Sequence, residues 1–201
     1  QAERSKERID ICTSGGWLHD IGLVEGNRHH CFTGAQIAQS YLAELGIDPR
    51  EIEQIVHCIE AHDGEVLARS LEAKVVHDAD TMDKMGIFGF IRHVWKTSLI
   101  DSLSTDEMLN SVPEHIAERR SKLYLHISRE IVRGLDNRLS AFLRDRAVAG
   151  EVVELISKKA FQGIPSEGIA EELIKNSRLG KEFLESIKSQ MTLAYLSDPV
   201  N

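Results

Sequence analysis

Two adjacent residues open the chemical reading of this chain. In Trp17-Leu18-His19-Asp20-Ile21-Gly22 an imidazole and a carboxylate stand side by side just ahead of a glycine. Neighbouring residues inside a helix point in different directions, so one ion can reach both only where the helix is ending. A plain structural role, an N–H donor beside a cap-like carboxylate, is the alternative for an isolated pair. Three further residues extend the pattern. His30 precedes Gly34-Ala35 at the start of a helix, His62 closes the next helix in Ile59-Glu60-Ala61-His62, and Asp80 lies inside the run from Leu71 to Gly86. A carboxylate in the apolar stretch of a helix is expensive unless it is paired, protonated or bound to a metal. On helical spacing Asp80 shares a face with Val76, His77, Asp83, Lys84 and Ile87, whereas Asp78 reads as a surface acid partnered by Lys74 and Lys84. His57 and His77 read as helix-packing residues, and Cys31 as a small buried hydrophobe. His29 competes with His30, which is preferred for its distance to Gly34. His93, His115 and His126 have no neighbours suggesting a site.

The elements that must position these residues are helices. Glu7 to Leu18 is the first, with Gly15 and Gly16 marking a face that another backbone or a ligand approaches. Gly22 to Arg28 reads as a loop. Thr33 to Leu45 carries an apolar stripe at Ile37, Ala38, Tyr41, Leu42 and Leu45. Gly46 then ends that helix and Asp48-Pro49 begins the next, which runs to His62 through Ile52, Ile55, Val56 and Ile59 and breaks at Asp63-Gly64. Leu71 to Met85 and Ile87 to Ile100 follow. A helix beginning near Ser104 is interrupted at Pro113, and one long stripe spans Glu114 to Leu143 through Leu123, Ile127, Ile131, Leu135 and Leu139. Gly150 to Ala160, Ser166 to Lys175 and Leu179 to Leu196 complete the series. No sustained period-2 pattern occurs, so the fold class is all-α. Residues 1–103 hold every candidate chemical residue; 104–201 form an amphipathic helical extension that packs on them.

Composition narrows the functions further. The chain has 201 residues, 42% of them hydrophobic, and 24 Lys and Arg stand against 32 Asp and Glu for a net charge of -8. A coat for duplex nucleic acid needs a positive face to displace counterions, so that class is excluded. No apolar run reaches the roughly 18 to 20 residues that span a bilayer. Cys12, Cys31 and Cys58 include no Cys-x-x-Cys spacing, which argues against a disulfide scaffold or thiolate zinc site and for a reducing cytoplasm. The sequence begins at Gln1 rather than Met, which suits a segment trimmed from something longer.

In this order and spacing the residues resemble the HD superfamily of metal-dependent phosphohydrolases. The resemblance covers about residues 9 to 95, and the run Leu-Glu-Ala-Lys-Val-Val-His-Asp-Ala-Asp-Thr-Met-Asp-Lys-Met-Gly looks like a subgroup of these hydrolases. It implies an all-α, HD-domain-like helical bundle over 1–103. His19-Asp20 takes the place of the family's His-Asp pair and Asp80 that of its distant Asp. His30 and His62 match the two extra His of binuclear members. Asp20 is thereby implied as a bridging ligand that holds the nucleophile. The family's first His would lie on a helix upstream of His19; none occurs in residues 1 to 18, and that helix is expected ahead of this segment. Position 23 is Leu where cyclic-dinucleotide phosphodiesterases carry Lys and some nucleotidases place an acid nearby. No Gly-Tyr-Pro follows His62. Those subclasses are disfavoured.

Imidazoles with carboxylates suit Mn, Fe, Co, Ni, Zn or Mg, as one ion or two. A bound divalent ion makes hydroxide from water at neutral pH and polarises a phosphoryl oxygen. The expected substrate is a small phosphomonoester or phosphodiester, nucleotide-like, with Lys74 and Lys84 as catalytic cations and Arg92 as a substrate-binding one. A di-iron oxygenase and a non-catalytic metal- or nucleotide-sensing module are the competing readings. Helical hairpins with apolar stripes are compatible with a homodimer.

Overall fold

Local signals set the helix ends. The Asp48 carboxylate accepts a hydrogen bond of 2.8 Å from the Arg50 N–H, and Pro49, whose missing N–H costs nothing in a first turn, follows it. Likewise the Asp145 carboxylate caps Val148 N–H. The computed structural model describes residues 2–26, 28–101, 103–175 and 179–195. Among these every regular element is helical: α1 (Ala2–Leu18), a 3-10 helix (Ile21–Glu25), α2 (His30–Glu44), α3 (Pro49–Ala61), α4 (Leu71–Asp83), α5 (Gly86–Ile100), α6 (Thr105–Ser121), α7 (His126–Leu143), α8 (Arg146–Phe161), α9 (Ser166–Ile174) and α10 (Lys181–Tyr195). The all-α expectation holds. No helix among the described residues is long and apolar enough to cross a membrane, and the three cysteines are free thiols.

Several local expectations are corrected. The segment read as a loop from Gly22 begins with the 3-10 helix. Pro113 does not interrupt α6, which continues through it to Ser121 at the cost of one backbone hydrogen bond. The stripe expected to run unbroken from Glu114 to Leu143 is cut between α6 and α7 and holds only in part: Leu123 and Leu139 are buried as expected, but Ile127 and Ile131 are 63% and 47% exposed, and Val132, outside the stripe, is buried. Leu196, where the last helix was expected to end, lies outside the described residues.

The chain divides into two compact units, residues 1–82 with 122–128, and residues 83–121 with 129–201. They part between Met82 and Asp83, ahead of the division expected after residue 103. In the first unit α3 packs against α1 and α2 around a core that includes Ile11, Ala38, Leu42, Ile55, Ile59 and Val76. The approach of α1 to α3 needs Gly15, where an added Cβ would lie 2.7 Å from Cys58 Cβ; the expected close face is real at Gly15 but not at Gly16, where an added Cβ meets nothing within 4 Å. Asp78 is not the surface acid its neighbours suggested. It is buried, and its two carboxylate oxygens accept from the N–H groups of Tyr124 and Leu125, each at 2.8 Å. Tyr124 Oη in turn accepts from Ala68 N–H at 3.3 Å. His77 is a packing residue as expected, its ring lying between the Ala61 and Lys122 carbonyls. These contacts sew residues 122–128 to the first unit.

In the second unit α5 carries a broad apolar face, which requires burial. Ile87, Phe88, Phe90, Ile91 and Val94 meet α6, α8, α9 and α10. The Gln190 amide closes the start of α5, accepting from Phe88 N–H and donating to the Met85 carbonyl.

Candidate metal centre

A backbone contact in the first unit brings the donors together. The 3-10 helix after Asp20 runs directly against the first turn of α2. A Cβ on Gly22 would stand 2.0 Å from the His30 carbonyl oxygen and 2.6 Å from Gly34 N, so only glycine permits this approach. Gly34 supplies the other half, its own Cβ position lying 3.1 Å from Gly22 N. His19 and Asp20, in the turn where α1 ends, are thereby held beside His30 at the start of α2. His62, immediately after α3, and Asp80, on α4, complete the group.

The distances are those of one cluster. Asp20 Oδ1 lies 3.3 Å from His30 Nε2 and 3.5 Å from His62 Nε2, and Oδ2 lies 3.3 Å from His19 Nε2. His19 Nε2 is also 3.8 Å from Asp80 Oδ1, and the Nε2 atoms of His30 and His62 are 3.1 Å apart. Donors around an ion at about 2.1 Å are spaced by about 3.0 to 3.4 Å in octahedral or tetrahedral arrangements. His62 is only 1% exposed, whereas Asp20 is 49% exposed in its side chain, so the cluster has a buried floor and an open side.

The tautomers test whether a cation suits these residues. His19 Nδ1 is 2.7 Å from the Gly16 carbonyl and His62 Nδ1 is 2.6 Å from the Ile59 carbonyl. Each Nδ1 must carry its proton to donate there, which leaves each neutral ring with an Nε2 lone pair facing the cluster. A lone pair set against a carboxylate oxygen repels it unless a proton or a cation lies between them. The proton affinities show the same field. With a proton on each Nε2, hydrogen bonds from His19 and then His62 hold the Asp20 carboxyl far below the usual carboxylate range. Burial pulls His19 down, but the Asp20 hydrogen bond, the Gly16 carbonyl and the charges of Asp20 and Asp80 outweigh it, and the net shift is upward. The donor set fits a divalent ion.

Sequence reasoning passed over one neighbour. Asp63 joins His30 and His62 in a second donor set, overlapping that of His19, Asp20 and His62, with donor atoms in each set within 4.8 Å of one another. The signal available was its place directly after His62, in the Asp63-Gly64 turn. A third set, Cys31 with Asp63 and Glu65, is poorer in chemistry, because burial and the two acids push the Cys31 thiol up to about 12 and keep it a thiol. His29 turns away from the cluster toward Glu65, 3.3 Å off, in a left-handed conformation with φ 58°.

The expected phosphate-facing cations stand differently from the five donors. Lys74 is half-buried in the first unit with its ammonium 5.9 Å from the centre of the Tyr124 ring. Lys84 and Arg92 belong to the second unit, where Arg92 pairs with Asp83 and the Lys84 carbonyl accepts from Arg119.

Comparison with known proteins addresses the same segment. Over 70 residues the chain is 41% identical to Ribonuclease Y of Thermobifida fusca, a match covering 32% of this chain and 12% of that protein. Over 73 residues it is 40% identical to Ribonuclease Y of Acidothermus cellulolyticus, covering 34% and 13%. The chain thus spans only about an eighth of the length of the curated relatives it matches. No solved structure matches it significantly. The HD domain family model matches residues 1–85; HD domains bind divalent metals and are generally hydrolases of the metal-dependent phosphohydrolase superfamily. Residues 1–85, the segment that the HD domain family model matches, contain all five converging donors.

Proposed function

We propose that this protein hydrolyses a phosphodiester of the nucleotide class with a divalent metal held by His19, Asp20, His30, His62 and Asp80. The observation that carries the reading is the convergence of three imidazoles and two carboxylates, drawn from separate helix ends, at spacings of 3.1 to 3.8 Å. Bound there, the ion supplies an ionised water at neutral pH and polarises a phosphoryl oxygen. The protein's own groups do the rest. Gly16 and Ile59 carbonyls fix the tautomers of His19 and His62. Asp20 stays ionised and presents one oxygen toward His19 and the other toward His30 and His62. Its half-exposed position leaves a side on which a phosphoester can enter. Asp63 is assigned with His30 and His62 to a second ion. Lys74, in the same unit as the five donors, keeps its assignment as a cation for phosphate charge. The name of the two relatives makes an RNA phosphodiester the first substrate to try.

The test is metal content and turnover together. Protein loaded with Mn or Zn should hydrolyse bis(p-nitrophenyl) phosphate or a short RNA, and Asp20→Asn should lose bound metal and at least about 100-fold in rate. An Asp20→Asn protein with undiminished hydrolysis, or iron-loaded protein that consumes O₂ and turns over no phosphoester, overturns the reading.

A further inference from the structure

The second unit, taken by itself, contains a half-open cavity of about 500 Å³ whose lining carries the charge the chain as a whole lacks. Lys84, Arg92, Lys96 and Arg119 line it together with Asp101 and Glu167; with Arg92 paired to Asp83, an excess of one positive charge remains in a chain of net charge -8. Like charges gathered in a concave wall repel one another, and an entering anion relieves that repulsion.

Three features give the cavity more than charge. His93 and His115 stack on its wall with ring centres 4.2 Å apart and planes 29° from parallel. Burial, His115, Arg119 and Lys96 together hold His93 down to about 4, so its ring is neutral at physiological pH. Its Nε2 is buried with no hydrogen-bond partner among the described residues. The N-terminal end of α9 also borders the cavity, through Pro165, Ser166 and Glu167. Pro165 occupies the capping position and offers no side-chain cap, so the first N–H groups and the positive end of the helix lie at the cavity edge. Finally, the wall is braced: Arg119 Nη1 donates to the Lys84 carbonyl at 2.7 Å, and Trp95 Nε1 to the Ile164 carbonyl at 2.9 Å.

We propose that this cavity binds a small phosphate-bearing molecule, its phosphoryl oxygens taken by Lys96, Arg119 and the start of α9 beside the His93–His115 stack. Donors of these kinds are the ones that hold phosphate, and the volume lies in the range of small-molecule sites. A volume of about 500 Å³ suits a small molecule rather than a long nucleic-acid strand. The proposal uses no residue of the five-donor cluster and does not rest on the hydrolase reading.

The experiment is calorimetric titration of inorganic pyrophosphate into protein stripped of metal with EDTA, followed in parallel by the His93 Cε1–H resonance. One pyrophosphate should bind per chain, and the His93 titration should move upward as the anion offsets its cationic neighbours. Lys96 is exposed, so Lys96→Glu should fold; it should weaken binding at least about tenfold, with Lys96→Gln intermediate. Asp20→Asn should bind pyrophosphate as wild type does. Absence of saturable binding, binding indifferent to Lys96→Glu, binding lost in Asp20→Asn, or binding of a single-stranded RNA without binding of pyrophosphate would each overturn the proposal. Failure of Asp20→Asn to affect phosphoester turnover would instead count against the hydrolase reading alone.

Discussion

Replacing Gly22 by alanine puts a methyl group where another backbone already stands. The new Cβ would lie 2.0 Å from the His30 carbonyl oxygen and 2.6 Å from Gly34 N. Ordinary carbon–oxygen contact is about 3.3 Å, so the two segments must separate by roughly 1.3 Å. Both obstructing atoms are backbone, so no rotamer change relieves the clash. Overpacking of this kind costs about 1 to 3 kcal/mol. The functional cost follows from position: Asp20, two residues before Gly22, has its Oδ1 only 3.3 Å from His30 Nε2. Ligand groups must be held to within about 0.5 Å to act together, and the required opening exceeds that. Gly22→Ala should therefore bind Mn or Zn about 10- to 100-fold more weakly, measured by competition with a chromophoric chelator, and unfold at lower urea. Gly16→Ala is the control, since nothing lies within 4 Å of its added methyl; it should be neutral or stabilise α1 by up to about 1 kcal/mol. Wild-type metal affinity and stability in Gly22→Ala would refute the argument that this backbone contact builds the site.

Two further consequences concern stability. Asp78→Asn turns an amide NH₂ toward one of the two N–H groups its carboxylate now serves, and should cost about 1 to 3 kcal/mol in urea unfolding; a loss below about 0.5 kcal/mol would mean that segment 122–128 is held by something else. For His93, the ring is held near 4 in the fold by burial, His115, Arg119 and Lys96, below its ordinary value of about 6.5. Between those values the unfolded chain binds more protons, so the contribution is complete above about pH 6.5 and is lost as pH falls toward 4. Allowing for solvent screening of a partly exposed ring, wild type should gain about 1 to 2 kcal/mol on His93→Gln between pH 4.5 and 7, and parallel stability profiles for the two proteins would contradict it.

What the sequence disclosed and what it hid separate along a physical line. The helix starts at Asp48-Pro49, the close face at Gly15 and the donors His19, Asp20, His30, His62 and Asp80 were legible, because each depends on residue type and on spacing within a few turns. The errors at Asp78, along α7 and at His93 and His115 involve partners far along the chain. Asp78 was taken for a surface acid because Lys74 and Lys84 are near it in sequence, but its true partners are main-chain N–H groups some 46 residues away, and every residue other than proline carries such a group. The phase at the start of α7 was misjudged for a related reason: Ile127 and Ile131 fit a regular stripe that ends on the buried Leu139, yet the tertiary environment buries Val132 in their place. His93 and His115, dismissed singly, acquire meaning only when α5 and α6 place their rings 4.2 Å apart. Gly22 shows the converse. Its glycine was visible from the start as the end of a His-Asp turn, but the reason no other residue can serve there is a carbonyl oxygen on the next helix. A candidate metal site is thus specified by its donors only in part; the rest of the specification lies in the side chain that is absent two residues away.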